Sequence, residues 1–491
     1  MTSKSQANPS APPARGKWLA LALLCSVQFL ILLDVTIVNV ALPSIQGELD
    51  FSQDDLQWVI SAYALVFGGF LLLGGRAADM LGRRRLFLAG LVVFTLASLF
   101  AGLAWTDGSL ISARVAQGLG AALITPAALS ILSTTFAEGR ERNIALGAWG
   151  AVGGIGAVAG VLLGGILTDA LSWEWIFFIN VPVGVVAGLL APLLLAESRD
   201  AESTRFDVPG AVLVTSGLSL LVYAMTLAGE DGWLAGGTLG VFALSLALLV
   251  AFVAWERRHP EPLMRFEVLR SRTVTGANVA GLIVGTALFS SFLILTLYMQ
   301  QVLGYSATKN GVVALAIAAT AVASSGLAGH LVTRIGVKPV LVLGMSALTA
   351  GLLYFTRISV DGSYLADLLP GFLLLGVGIG FSFVPISIAA LAGVEPAEAG
   401  LASGLINTSQ QIGGALGIAA LSTVASSSAE ESLRSGAVVS QALVDGFSQA
   451  FLVGAAIAAV GVVASLVLIR RDELETELVA VLDDDAALEP A

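Results

Sequence analysis

Two opposite charges sit inside long apolar stretches: Asp34 in "LLDVTIVNVALP" and Arg114 in "SARVAQGLGAA". A carboxylate within hydrocarbon costs about 2.5 kcal/mol or more on insertion scales unless it faces a cavity or a partner. An acid held there is suited to alternating between a proton and a cation. If the first stretch ended early, Asp34 would simply be solvated, but Val35, Ile37, Val38, Val40, Ala41 and Leu42 carry the apolar run on to Pro43. At about 1.5 Å per residue from Lys17, Asp34 lies roughly 25 Å along a helix. Arg114 follows Ser109 in a helix that runs the opposite way, so its depth is similar. The expectation is that both border one aqueous cavity and interact; the alternative for Arg114 is snorkelling to the outer surface.

Helices long enough to hold these charges dominate the chain. Of 491 residues, 56% are hydrophobic and 12% charged, about half the charge of a soluble protein. Apolar runs long enough to cross a bilayer lie near 17–40, 55–74, 86–105, 109–133, 143–168, 174–196, 207–228, 236–255, 273–301, 308–330, 338–357, 364–392, 400–425 and 447–469. The 24 Lys and Arg, except Arg114, Lys309, Arg357 and Arg434, fall in the tails and in loops on the side of the termini. Because basic residues resist translocation, both termini are expected in the cytoplasm and the chain in the cell membrane. The net charge of −11 is assigned to acidic outer loops and to the tail "RRDELETELVAVLDDDAALEPA", a solvated surface.

The turn "GGRAADMLGRRR" after span 2 has a fainter echo, "GHLVTRIGVKPV", after span 10, pairing Gly82 with Gly336 and Asp79 with Thr333. A same-orientation echo predicts two parallel six-span halves with two spans inserted between them. The expected organisation is a tail over 1–16, an N-terminal six-helix bundle over 17–196, the inserted pair with linkers over 197–265, a C-terminal bundle over 266–470 and an acidic tail over 471–491. The fold class is an all-α integral membrane protein of 14 spans.

The order of "LDVTIVNVALP", "GRAADMLGRRR", "RVAQGLGAA", "WEWIFFINVP", "YMQQVLGYS" and "GLASGLINTSQQIGGALG" resembles the fourteen-span drug:proton antiporter branch of the major facilitator superfamily. The resemblance implies two bundles rocking about a central cavity, with proton entry driving export of small amphipathic molecules. It implies proton and cation handling by Asp34 and Arg114, and a cytoplasmic gate built from Gly75, Asp79, Gly82, Arg83 and Arg84. The arginines of that turn also fix topology. Gly156, Gly160, Gly164 and Gly165 mark a helix-packing motif, in which Val161 replaces the family's proline and predicts a straighter helix. Glu174 and Gln410 stand where relatives commonly carry basic residues. Asn39, Trp58, Tyr63, Tyr298, Gln301, Asn407 and Gln411 are the candidates for lining the cavity; for each, interhelical packing or interfacial anchoring is the competing reading.

Several function classes recede. No G-x-x-x-x-G-K-[ST] loop supports an ATP-driven pump, and no His/Asp/Cys cluster supports a membrane enzyme. His259 and His330 fall in predicted loops far apart in sequence and suggest no metal site; the lone Cys25 is read as packing. The expected partners are the lipid bilayer, a small-molecule substrate and protons, without nucleic acid and without a cofactor beyond the proton gradient; a monomer is compatible with the sequence. Dedicated export of one self-made metabolite and a non-transporting receptor or scaffold are the remaining alternatives.

Overall fold

The computed structural model describes residues 14–49, 51, 58–137, 140–198, 207–230, 232–259, 262, 270–394 and 399–470. Fourteen long helices follow one another: α1 (Ala14–Leu49), α2 (Trp58–Leu81), α3 (Arg83–Gly102), α4 (Asp107–Thr135), α5 (Arg140–Ala170), α6 (Trp175–Leu194) and α7 (Val208–Glu230). They continue with α8 (Gly236–Glu256), α9 (Arg272–Leu297), α10 (Ala307–Ile335), α11 (Val337–Phe355), α12 (Leu369–Ala390), α13 (Ala399–Arg434) and α14 (Val439–Leu468). Thirteen of them are long and apolar enough to cross a membrane; α5, whose side chains are described only in part, completes the set. No strand occurs among the described residues.

Local chemistry places the ends. Thr106 caps α4 by accepting from the Ser109 amide, and Ser109 returns a bond to the Thr106 amide, a reciprocal box that fixes where the helix starts. Gly82 and Gly336 separate α2 from α3 and α10 from α11 with φ of 108° and 88°, a backbone region that glycine alone enters without strain. The echo between the two turns is therefore structural as well as sequential.

The two six-helix halves meet along two seams. In one, α2 crosses α13 at Gly75 and Gly400, where a Cβ on either glycine would run into the other's carbonyl. In the other, α5 packs against α10 from Asn143 and Gly329 at one end to Gly165 and Thr308 at the other. The inserted α7–α8 hairpin lies against the α2–α13 seam: Leu218 and Val214 of α7 and Phe252 of α8 cluster with Leu72 of α2 and Leu401 of α13. Only 17% of the most apolar window of α8 is buried, against 50% for α7, so α7 is the inner member of the hairpin and α8 the outer.

The structure corrects several expected boundaries. Helix α1 runs unbroken past Asp34 to Leu49, excluding an early end. Helix α13 reaches Arg434, where an exposed Arg434–Glu430 pair one turn apart extends it past the apolar window, and α14 begins at Val439 rather than 447. His330 lies inside α10, bonded through Nδ1 to the Gly326 carbonyl, not in a loop. Helix α5 continues through Val161, whose side chain lies outside the described residues, as do residues 1–13 and the acidic tail after 470.

Candidate functional site: a buried carboxylate network and an inter-half latch

Asp34 and Arg114 form a direct ion pair, Arg114 Nη1 to Asp34 Oδ2 at 2.6 Å. Helix α4 starts at Asp107, so Arg114 sits two turns in, opposite the middle of α1. Its Nε donates to the Val59 carbonyl at 2.8 Å, and its guanidinium lies 4.3 Å from the Tyr63 ring centroid, both on α2. Arg114 therefore turns inward and does not snorkel. Neither partner of the pair is exposed above 1%: the expected aqueous cavity does not reach Asp34 in this conformation, because side chains take the place of water around it.

Two amides and a hydroxyl complete the shell. Gln117 Nε2 donates to Asp34 Oδ1 at 3.1 Å and to Ser98 Oγ at 2.9 Å, while Gln117 Oε1 accepts from Arg114 Nη1 at 3.0 Å. Asn180 Nδ2 donates to the same Asp34 Oδ1 at 2.9 Å and to Ser98 Oγ at 3.3 Å. Ser98 in turn donates to the Phe94 carbonyl. Asp34 thus accepts three hydrogen bonds, two from neutral amides and one from a cation, the charge-assisted one being the strongest kind. Gln117, Asn180 and Ser98 escaped the sequence reading because they carry no charge. The available signals were the spacing of Gln117, three residues after Arg114 on the same helix face, and the place of Asn180 just after the interruption of α6 at Ile179. Pro182 explains that interruption, since it has no N–H for the Phe178 carbonyl.

The glycines of α5 fit the packing role. Gly156 faces Leu32, Gly160 faces Thr36 and the Leu33 carbonyl, and Gly164 faces Ile37, so three small residues seat α5 against the stretch of α1 that carries Asp34. Gly165 departs from that stripe and faces Thr308 of α10 across the other seam.

The candidate gate forms a latch. Asp79 Oδ1 accepts from Arg83 Nη2 at 2.8 Å, Arg83 Nε at 3.1 Å and the Gly400 amide at 3.1 Å; Oδ2 accepts from the Leu401 amide at 3.0 Å. A carboxylate of one half therefore caps the first turn of α13 in the other, where the helix dipole favours negative charge. Gly82 turns the chain beside Glu197, whose Oε1 accepts from the Arg84 amide at 3.2 Å, while Arg84 Nη1 donates to the Leu195 carbonyl. Glu197 is a member of this turn that the sequence reading did not single out.

The cavity candidates scatter. Tyr63 joins the buried network. Trp58 packs on Tyr223 of the inserted α7 at 5.8 Å between ring centroids. Tyr298 is fully buried and donates to the Ser359 carbonyl at 2.7 Å, a packing contact, while Gln301 is exposed. Asn39 is exposed and bonded to its own helix at the Val35 carbonyl, as half-buried Asn407 is at the Ser403 carbonyl. Gln411 is half-buried on α13 near Gly68 of α2, and Gln410 packs against Gly281 and Gly285 of α9. Among the described residues, no group of three or more His, Cys, Asp or Glu could hold a metal ion.

Two halves joined at two seams, an intramembrane acid–base pair and a carboxylate latch describe a transporter scaffold, and the model of the Major Facilitator Superfamily matches residues 24–418. The chain belongs to the Major Facilitator Superfamily. Its relatives in this superfamily include the puromycin resistance protein Pur8 of Streptomyces alboniger, 41% identical over 449 residues that cover 91% of this chain and 89% of the relative. The cephamycin export protein CmcT of Amycolatopsis lactamdurans is 40% identical over 83% of this chain and 85% of its own length. The lincomycin resistance protein of Streptomyces lincolnensis is 36% identical over 85% and 86%. The crystal structure of the human organic anion transporter MFSD10 superposes with a TM-score of 0.64 at 16% identity, over 92% of this chain and 100% of the other; that likeness speaks for the Major Facilitator fold.

Proposed function

We propose that this protein exports small amphipathic molecules, antibiotics and drugs including lipophilic cations, across the cell membrane in exchange for protons, with both termini in the cytoplasm. The carrying observation is the Asp34–Arg114 pair sealed among the helices of the N-terminal half. Opening the halves on the outer side would admit water to Asp34, which takes a proton and loosens its hold on Arg114 and on any bound cation. Opening inward would release that proton and restore the carboxylate. The Asp79 latch on the α13 N-terminus governs which side opens, since the inward-facing state requires it to part. The relatives named for puromycin and lincomycin resistance support the substrate class.

The test is flux in proteoliposomes under an imposed pH gradient, with puromycin, lincomycin and ethidium as trial substrates. Gradient-dependent transport that disappears in Asp34→Asn supports the reading, and transport that persists unchanged overturns the role of Asp34. Relatives named for one antibiotic each, the cephamycin export protein among them, favour a second reading, dedicated export of a single self-made metabolite. Mutual competition among the three compounds argues for broad export and against that second reading.

A further inference from the structure

The buried network holds an amide acceptor that nothing uses. Asn180 Oδ1 is enclosed and without a hydrogen-bond partner, although Asn180 Nδ2 serves Asp34 and Ser98. A buried, unpartnered carbonyl oxygen costs about 1–3 kcal/mol, so its presence beside the Asp34 carboxyl calls for a reason. With Asp34 ionised, the amide orientation is forced: a half-turn about its terminal bond would face its oxygen toward the carboxylate. Gln117 has no such spare atom, because Arg114 holds its Oε1 while its Nε2 holds Asp34 and Ser98.

We propose that Asn180 is the positioning residue that reads the protonation state of Asp34, by turning its amide so that Oδ1 accepts the new carboxyl O–H. This rests on the reading of Asp34 as the proton-carrying group. The step is balanced: one proton arrives on Asp34 Oδ1, no heavy-atom bond forms or breaks, and the surrounding charge rises from zero to plus one with Arg114 unchanged. A protonated carboxyl is a donor as well as an acceptor, and in this enclosed place its hydrogen needs a partner. Around Asp34, Arg114 on α4 is a donor only. Ser98 on α3 already gives its hydrogen to Phe94 and accepts from both amides, α5 presents glycines to α1, and α2 presents Tyr63, whose hydroxyl is also buried and unpartnered. Asn180 alone in this shell combines direct contact with Asp34 and a free acceptor on the same group.

The location gives the turn a consequence. Asn180 stands one residue past Ile179, where α6 keeps helical dihedrals (φ −59°, ψ −27°) but Pro182 supplies no N–H to the ladder. A change of its side-chain hydrogen bonds is therefore felt where the backbone ladder already lacks a rung.

The test uses the full-length protein in lipid nanodiscs, with the proton as the only ligand, and follows the infrared carboxyl band that is absent in Asp34→Asn. In the wild type this band appears as pH falls, at the frequency of an acid that donates a hydrogen bond. In Asn180→Leu it moves to the higher frequency of a free acid, and in Asn180→Ser it returns toward the wild-type position. In unsubstituted protein carrying isotope-labelled asparagine, an amide carbonyl band shifts with the same midpoint as the Asp34 band and is still in Asp34→Asn. A carboxyl band that titrates but is unmoved by Asn180→Leu overturns the inference alone, as does one that moves in Tyr63→Phe instead. No carboxyl band at any pH overturns both the inference and the reading of Asp34 on which it rests.

Discussion

The carboxylate of Asp79 on α2 accepts the backbone amide of Gly400 on α13 at 3.1 Å, so an acid of one half terminates a helix of the other. Two amides of α13 and the Arg83 guanidinium share that carboxylate, and hydrogen bonds to a charged group are each worth about 1.5–3 kcal/mol. Replacing Asp79 with Ala removes them together. Spin labels on the exposed residues Leu81 and Ile335, at corresponding ends of the two halves, should report a longer mean separation in Asp79→Ala than in the wild type. An unchanged distance distribution would show that the glycine crossing holds this end shut unaided.

The crossing itself has a steric test. A Cβ on Gly75 would meet the Gly400 carbonyl, which is backbone and cannot swing away, whereas one on Gly165 would meet Thr308 at 3.3 to 3.7 Å. Gly75→Ala should therefore lower transport several-fold by keeping the seam apart, while Gly165→Ala remains near wild type. Initial efflux rates at matched membrane expression compare the two; equal rates would remove steric closure from the account of the gate.

The ion pair makes a prediction about stability that differs from the one about transport. Removing Arg114 leaves the buried Asp34 charge without its counter-ion, which costs about 3–5 kcal/mol, while neutralising both partners avoids that penalty. Arg114→Gln should melt well below wild type in detergent, and the double variant Asp34→Asn with Arg114→Gln should regain most of the loss while remaining inactive in gradient-driven transport. Exchanging the charges, Asp34→Arg with Arg114→Asp, should outperform either single exchange in thermal stability. A double neutral variant no more stable than Arg114→Gln would mean that the pair contributes no coupling.

Counting residues along two oppositely directed apolar runs was enough to bring Asp34 and Arg114 to one depth, because a membrane forces helices into a nearly common frame. The sequence also carried the Gly82 and Gly336 turns, since a positive φ constrains residue type directly. It did not reveal that Asp34 would be closed off, which depends on Gln117 turning inward from Arg114's own helix and Asn180 from α6. Nor did it separate Tyr63, inside the network, from Trp58, which packs on Tyr223. Both are aromatics on α2, and rotation about that helix, set by packing against α4 and α7, decides which one meets the guanidinium.

That packing gives the inserted hairpin a definable place in the motion. On its α2 side the contacts interlock: Gly69 approaches Ser219 too closely for any Cβ, Val222 lies 3.5 Å from where Gly68 would carry one, and Trp58 stacks near Tyr223. On its α13 side they are mainly aliphatic, Leu401, Leu405 and Ile412, together with one hydrogen bond from Trp233 to Thr423 at 3.3 Å. Branched aliphatic ends can slide past one another at little cost, whereas a backbone lodged against a serine cannot, so α7 should travel with α2 as the halves rock. In a Cys25→Ser background, a disulfide between Gly68→Cys and Val222→Cys should leave transport intact, and one between Leu218→Cys and Leu401→Cys should stop it until reduced. The opposite pattern would assign the hairpin to the C-terminal half, and inhibition by both would mean that it must release each side in turn.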